Sequence, residues 1–319
     1  MLPFLAKIGP VLIPTHFVTW NLAYIAWILF TVWYARSFGI DLNQLINLII
    51  FTILVSFVGA RLSWFVMVTG PKEFDFILRH PIELLKVWKG GLSFYGIVGF
   101  FIPLGAWYCL RYRVPILTMF DIYIPGVVLG IFIQNWGCLL AGCHYGKPTD
   151  LPWGVSYHHY LFPGPRGVSL HPFPVYVSLI GMFIFLFSLG WYQARENRGG
   201  ALGRIFSPLF RLLRLRFIEG ELVCVAGAWY SGLRFFAEFT RNPANQIWPP
   251  GSPLPQSQYA CLGFFCFCLA GYWLYRETRE DYEKGIPLRS WRKAAFGFYR
   301  LLKWLSTNLP WPVRRKEGG

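Results

Sequence analysis

Charged residues are scarce in this chain of 319 residues. Asp, Glu, Lys and Arg together make up 14% of it, whereas 55% of the residues are hydrophobic and the mean hydropathy is +0.42. Such a composition excludes an ordinary soluble two-domain protein, whose surface carries more charge. It predicts an integral membrane protein, in which apolar segments of about 20 residues cross the bilayer as helices.

Other common signals are also missing. No internal repeat is evident, which argues against a solenoid. No basic segment precedes the first apolar run and no small-residue cleavage site follows it, so we expect an uncleaved membrane span and not a signal peptide. The seven cysteines include no paired C-x-x-C motif, so we expect neither a metal site nor a cofactor. Cys138 and Cys143, five residues apart, are compatible with either a packed pair or a disulfide.

Seven long apolar runs follow one another along the chain. They cover residues 17–35, 45–69, 92–110, 116–139, 173–192, 217–239 and 259–275. They predict an all-α polytopic protein, a bundle of about seven transmembrane helices. We expect residues 1–275 to form this membrane domain and residues 276–319 to form a basic amphipathic cytoplasmic tail.

The basic residues give the orientation. Of the 30 Lys and Arg residues, 20 lie after spans one, three, five and seven, 8 lie on the other side, and Arg61 and Arg234 lie within spans. Basic residues accumulate on the cytoplasmic side, so the N-terminus is predicted outside and the C-terminus inside. The same distribution accounts for the net charge of +15 by attraction to anionic lipid, and we expect the bilayer, and no nucleic acid, as the partner of these residues.

Ionisable residues inside the spans are the strongest indication of function, because a charge near the middle of a bilayer costs at least about 2.5 kcal/mol. Arg61 lies in GARLSW. Arg234 and Glu238 are four residues apart in WYSGLRFFAEFTR, and Arg241 follows one turn later. Such residues either form a buried ion pair that fixes helix packing or present an arginine fork that binds a phosphate.

Two further segments combine polar residues with glycines. KGGLSFYGIVG, residues 89–99, places the hydroxyls of Ser93 and Tyr95 at the membrane edge, where Tyr95 also suits the interfacial aromatic belt. IQNWGCLLAGCHYGKPTDLPWG, residues 133–154, ends an apolar run in a loop rich in turn-forming residues. It is either a structural helix exit or part of a functional site.

The ordered set of GARLSW, KGGLSFYGIVG, DIYIP, GCLLAGCHYGKPTDLPWGV, HPFPVY and YSGLRFFAEFTR resembles the prolipoprotein diacylglyceryl transferase family. The resemblance implies a seven-span enzyme of the bacterial plasma (inner) membrane whose active site faces the outer side. It further implies transfer of the diacylglyceryl group of phosphatidylglycerol, or a related anionic phospholipid, to the thiol of a lipobox cysteine in a prolipoprotein, with release of glycerol phosphate.

The resemblance also implies roles for individual residues. Arg234 and Glu238 match the family's essential arginine and its nearby acid, and Arg61 matches the arginine of its second span. Tyr95 takes a position where many members have histidine. Trp20 takes the place of a tyrosine in the first span. Arg234, helped by Arg61 and Arg241, is expected to hold the phosphate, Glu238 to orient Arg234, and Tyr95 to stand beside the acceptor thiol.

Residues 133–154 resemble the family's signature block, and the loop that ends them is called the signature loop below. The family has an arginine in this block where this chain has Asn135. Asn135 donates hydrogen bonds but supplies no positive charge; Lys147 and Arg241 are candidates to supply it. Three further residues complete the predicted substrate site: Gly137 and Gly142, which allow close backbone approach to the headgroup, and His171 of HPFPVY. That motif has Pro174 and Val177 where the family pattern has Gln and Glu.

These departures leave alternatives to the transferase open. One is a diverged protein that keeps the scaffold and binds lipid or lipoprotein without turnover. Another is a transferase with a different lipid donor or thiol acceptor.

Overall fold

A computed structural model describes residues 4–8, 11–38, 40–64, 79–82, 94–112, 114–158, 162, 164–197, 199–249 and 251–283. The described residues form eight α-helices. They are α1 (Thr15–Ala35), α2 (Leu42–Trp64), α3 (Phe94–Arg111), α4 (Ile116–Ala141), α5 (Phe173–Arg195), α6 (Ala201–Leu212), α7 (Glu221–Ala237) and α8 (Gln256–Glu283). The structure also has two short antiparallel strand pairs: β1 (Phe4–Ile8) with β2 (Val11–Pro14) before α1, and β3 (Val155–Ser156) with β4 (Ser169–Leu170) between α4 and α5.

Each predicted apolar run coincides with one long helix, so the prediction of a mostly helical protein is confirmed. Among the described residues, four segments are long and apolar enough to cross a membrane: Thr15–Phe38, Leu42–Ser63, Ile116–Ala141 and Phe173–Arg195. These helices are apolar around most of their circumference, as expected for helices that face lipid on one side and protein on the other. The number of seven spans stays a prediction.

The structure differs from the prediction at the end of the last helix and in having one additional short helix. The last apolar run ends at residue 275, but α8 continues to Glu283, since backbone hydrogen bonding continues where hydropathy falls. The 12-residue helix α6 was not predicted, because it is amphipathic and too short to span a bilayer. Residues 284–319, which contain most of the predicted cytoplasmic tail, lie outside the described residues.

The chain divides into two compact units. The first contains the described residues up to Thr31 and from Phe120 onward, and the second contains those between Val32 and Met119. In the second unit α2 packs against α3, and their backbones approach closely at Gly59 and Gly96. Arg61 lies in this unit, at the C-terminal end of α2, and only 3% of it is exposed.

In the first unit, a carboxylate of α4 fixes the start of α7. Asp121 accepts hydrogen bonds from the backbone amides of Gly220 (2.6 Å) and Val223 (2.8 Å). The first turn of a helix has unpaired N–H groups, and a carboxylate there satisfies them and interacts favourably with the helix dipole. Asp121 therefore sets the position of α7, which carries Arg234 near its other end.

Three further contacts order the helices of this unit. Ser178 of α5 donates to the carbonyl of Phe132 in α4 (2.8 Å), and Gln258 of α8 donates to the carbonyl of Phe235 in α7 (3.1 Å). Phe187 of α5 stacks on Trp229 of α7 with ring centroids 6.0 Å apart. In a bilayer the hydrophobic effect does not drive helices together, because lipid is as apolar as a neighbouring helix. Hydrogen bonds between helices and close aromatic contacts then stabilise the helix packing.

Candidate functional site

A carboxylate between two guanidinium groups forms the centre of the site. Nη2 of Arg234 lies 2.9 Å from Oε1 of Glu238, and Nη1 of Arg241 lies 3.4 Å from Oε2. The Glu238 side chain is fully buried, whereas 23% of the Arg234 side chain and 12% of the Arg241 side chain are exposed. A ligand can therefore reach the two arginines but not the carboxylate.

Glu238 receives two more hydrogen bonds. Nε2 of Gln246 and Oγ of Ser257 each donate to its Oε2 at 3.1 Å. A buried carboxylate is stable only when it is paired and its oxygens are hydrogen-bonded, and both conditions hold here. Since Ser257 belongs to α8 and Gln246 to the loop before it, the carboxylate ties the end of α7 to the start of α8.

Both guanidinium groups lie over one aromatic ring. The guanidinium carbon of Arg234 is 5.3 Å from the centroid of Phe173, and that of Arg241 is 5.6 Å from it. Phe173 is buried and begins α5. A cation over an aromatic face is stabilised by the ring quadrupole, more strongly where water is excluded. The Phe173 ring thus partly offsets the repulsion between the two neighbouring guanidinium groups.

The end of α7 differs from the predicted continuous helix. α7 stops at Ala237, a single 3₁₀ turn covers Glu238–Thr240, and Arg241 is extended. Arg241 is then held by Asn245: its Nε donates to Oδ1 at 2.8 Å and its Nη2 to the Asn245 carbonyl at 2.6 Å. Arg241 therefore reaches Glu238 from a loop and not from the next helical turn.

The signature loop after α4 is joined to this arginine cluster through backbone hydrogen bonds. The amide of Lys147 donates to the carbonyl of Thr240 (2.8 Å), and the amide of Gly146 donates to the carbonyl of His171 (3.1 Å). The amide of His171 donates back to the carbonyl of Lys147 (2.9 Å), and Gly146 pairs with Arg241 as an isolated bridge. Three segments that are distant in sequence thus meet here.

Tyr145 strengthens this junction. Its carbonyl accepts hydrogen bonds from the amide of Asn242 (3.1 Å) and from Nδ2 of Asn245 (3.0 Å). Asn245 also holds Arg241, so the loop, the amide side chain and the guanidinium form one connected network. Networks whose members are all satisfied are rigid, and rigid donors are the ones that bind or stabilise charge well.

His144 and Cys143 lie at the start of the same loop. The pKa of His144 is lowered to about 4, mainly because the surrounding protein desolvates the ring and also because Arg241 and Arg234 are positively charged. Part of the His144 side chain is nevertheless exposed. The imidazole is therefore neutral near pH 7, and its unprotonated ring nitrogen can accept a hydrogen bond. A hydrogen bond with Cys138 lowers the pKa of Cys143, and both cysteines are free thiols.

The other residues predicted in the signature block have mostly local contacts. Nδ2 of Asn135 donates to the carbonyl of Ile131 in its own helix (2.8 Å). Gly137 lies against Thr19 of α1, where a side chain would collide, so it serves close helix approach. Gly142 has a φ of 76°, which favours glycine. The side chain of Lys147 is exposed.

The remaining predicted residues make other contacts or lie outside the described side chains. Trp20 packs on Tyr24 with centroids 6.2 Å apart, and Nδ1 of His171 lies within hydrogen-bond distance, 3.1 Å, of the Tyr176 hydroxyl. Tyr95 is the second residue of α3, and its side chain is not described. Ser93 lies outside the described residues. The roles of these residues, and of Arg61 in the second unit, stay predictions.

Sequence reasoning missed several members of the cluster. Phe173, Tyr145 and Ser257 approach the cluster only through the fold, and none carries a charge. Asn245 and Gln246 lie within five residues of Arg241 in the polar segment TRNPANQ. That local concentration of amides was the available signal.

Comparison with known proteins gives a consistent result. A family model described as prolipoprotein diacylglyceryl transferase matches residues 3–274. A phosphatidylglycerol-prolipoprotein diacylglyceryl transferase of Wolbachia sp. subsp. Brugia malayi (strain TRS) is 31% identical over 250 residues, covering 77% of this chain and 84% of the relative. A protein of the same name from Cereibacter sphaeroides (strain ATCC 17025 / ATH 2.4.3) is 32% identical over 220 residues, covering 66% of this chain and 67% of the relative.

Replacement of Gly146 by alanine tests the junction. The added Cβ would collide with the carbonyl of His171 and lie 2.9 Å from that of Thr240, two backbone oxygens that cannot rotate away. We expect Gly146→Ala to destabilise the protein by about 1–3 kcal/mol, measured as a lower unfolding temperature in detergent. Gly263→Ala is the control, since no atom lies near its Cβ position. Equal unfolding temperatures for the two variants would show that the junction is not tightly packed.

Proposed function

The chain belongs to the prolipoprotein diacylglyceryl transferase family, and we propose that its arginine cluster holds the phosphate of the lipid donor during transfer. The protein is a transferase of lipoprotein maturation that moves the diacylglyceryl group from phosphatidylglycerol to a prolipoprotein. The observation that supports a phosphate site is the pair of partly exposed guanidiniums around one fully buried carboxylate.

The charge of the cluster matches this substrate. Two guanidiniums and one carboxylate leave a net charge of +1, and the phosphodiester of phosphatidylglycerol carries one negative charge. Each guanidinium contacts Glu238 through one nitrogen, and Asn245 engages Nε and Nη2 of Arg241, so Arg234 is the better placed of the two to bind phosphate oxygens as a fork. Arg234 is the main phosphate ligand, Arg241 assists it, and Glu238 orients both.

The chemistry that these residues serve is substitution at a glyceryl carbon. The acceptor thiol loses its proton, its sulfur forms a bond to the carbon, and the bond from that carbon to the phosphate oxygen breaks. Glycerol phosphate leaves with both electrons of that bond and therefore gains a second negative charge. Preorganised cations stabilise this developing charge. Tyr95 is proposed to relay the thiol proton, because little thiolate exists at neutral pH for a thiol of pKa about 8.5.

Arg61, Lys147, Trp20, Ser93 and His171 are proposed to contact the substrates, and Gly137 and Gly142 to shape the loop and helix around them. A lipobox cysteine is the proposed acceptor. The hypothesis of a scaffold that binds lipid without turnover lacks positive support. Asn135 is compatible with it, yet the arginine cluster is complete without a cation at position 135.

Replacement of Arg234 tests the phosphate role. Lysine keeps the charge but cannot form a bidentate fork, so we expect Arg234→Lys to reduce the transfer rate by about a hundredfold or more. The rate is measured with labelled phosphatidylglycerol and a lipobox peptide in detergent. Arg204→Lys is the control, because Arg204 is exposed on α6. An Arg234→Lys protein as active as the parent would refute the assignment.

The departure at position 135 gives a second prediction. Asn135 is buried and supplies no charge to balance the second negative charge of the leaving group. We expect Asn135→Arg to raise the transfer rate about tenfold, which corresponds to about 1.4 kcal/mol in the barrier. A lower rate would mean that Lys147 or Arg241 already supplies that charge and that the added cation crowds the site.

We propose the topology that the basic residues predict: the N-terminus outside, the C-terminus inside and the arginine cluster near the outer face of the inner membrane. A reporter that is active only outside should work when fused after Gly251 and fail when fused at residue 319. The reverse pattern would invert the topology.

A further inference from the structure

A second concentration of arginines lies at the opposite end of the same helices. α5 begins at Phe173, beneath the arginine cluster, and ends at Arg195. A helix of this length extends about 34 Å, the thickness of a bilayer core. Ala194, at its far end, lines a cavity of about 900 Å³ together with residues of α6, of the loop after α6, and of α8.

The cavity is strongly basic. Arg211, Arg214, Arg216 and Arg276 line it, and no acidic residue is among the described residues that line it. Phe210 and Phe217 supply its apolar surface. Pockets that bind small ligands have volumes of about 300–1,000 Å³ and combine apolar walls with a few polar groups. This cavity has that size, and it has four arginines as its charged groups and two aromatic rings among its apolar residues.

One of the basic side chains, Arg276, and the backbone of the loop after α6 are held in place. Nη1 of Arg276 donates to the hydroxyl of Tyr272 (3.1 Å), which donates to the carbonyl of Leu213 (3.3 Å). Glu221 accepts the backbone amides of Arg216 (3.0 Å) and Phe217 (2.7 Å). The loop is thereby fixed through its backbone, and donors fixed in advance bind an anion with little loss of entropy.

The position of α6 indicates where the ligand comes from. Its inner face packs Phe206 and Phe210 against Phe187 of α5, with centroids 5.7 and 5.4 Å apart. Its outer face exposes Ile205 (67%) and Leu212 (77%). A short amphipathic helix with exposed large apolar residues beside arginines is typical of the membrane interface. A cavity next to it faces lipid headgroups.

We propose that this cavity binds the phosphate headgroup of an anionic phospholipid in the leaflet opposite to the transferase site. The arginines contact the phosphate, Phe210 and Phe217 contact the glycerol backbone, and Leu212 lies against the acyl chains. Among the described residues Arg211 and Arg214 form no ion pair, so their charges are available to a lipid. Basic pockets at the ends of transmembrane helices bind anionic lipids in this way. The site is separate from the transferase cluster.

Hydrogen exchange in nanodiscs tests the proposal. The parent protein is placed in nanodiscs of phosphatidylcholine alone or with phosphatidylglycerol, and exchange is followed in peptides that cover residues 207–217. We expect at least threefold slower exchange with phosphatidylglycerol. The difference should disappear in a variant with Arg211→Gln, Arg214→Gln and Arg276→Gln, and persist in Arg204→Gln, a matched arginine on the same helix that does not line the cavity.

Transferase activity of the triple variant shows that it is folded, since the transfer site lies at the other end of the helices. Three results would overturn the proposal. The first is an equal exchange rate in the two nanodiscs, and the second is protection that persists in the triple variant or disappears in Arg204→Gln. The third is equal protection of the parent by soluble glycerol phosphate in phosphatidylcholine nanodiscs, which would identify a water-soluble anion as the ligand.

Discussion

The buried carboxylate of Glu238 is the interaction on which the functional end of this protein depends. Two guanidiniums over one phenyl ring would repel each other, and a carboxylate without counter-charges would be costly to bury. Together the three groups leave a net charge of +1, and hydrogen bonds from Gln246 and Ser257 complete the coordination of the carboxylate. Removal of one member of such a buried group costs far more than the net contribution of the group to stability.

The fold brings residues to this carboxylate from distant parts of the chain. Asp121 of α4 fixes the start of α7, and α7 carries Arg234 to the other end of the bundle. Phe173 begins α5 at that end, and Ser257 lies in the first turn of α8. The signature loop after α4 pairs with His171 and with Thr240. Hence four helix ends meet at the arginine cluster, while the other ends of α5 and α8 line the basic cavity together with the C-terminal part of α6.

Much of the helical arrangement was predictable, because apolar length alone determines which segments suit a bilayer. The run predicted at 116–139 is the helix Ile116–Ala141, and that at 173–192 is Phe173–Arg195. α6 was missed, because hydropathy averaged over a span-length window hides a 12-residue amphipathic helix. The end of α8 was also missed, because charged residues continue its hydrogen bonding while ending its apolar run.

The site was predictable only where its residues are charged and close in sequence. The spacing of Arg234 and Glu238 gave an ion pair as one of two alternatives, and the structure contains that pair. Phe173, Ser257 and the carbonyl of Thr240 had no such signal, because they approach the cluster only after α5, α7 and α8 have packed. The resemblance located the signature loop, but the backbone pairing of Gly146 and Lys147 with other segments depends on tertiary contacts and was not predictable.

A double-mutant cycle on the transfer rate tests most directly whether Glu238 organises the phosphate site. The rates of the parent, Glu238→Gln, Arg241→Gln and the double variant are measured as kcat/KM with phosphatidylglycerol. If the carboxylate holds Arg241 for the phosphate, the two substitutions are coupled by about 1 kcal/mol or more, and the double variant is scarcely slower than Glu238→Gln. Additive effects would contradict the account.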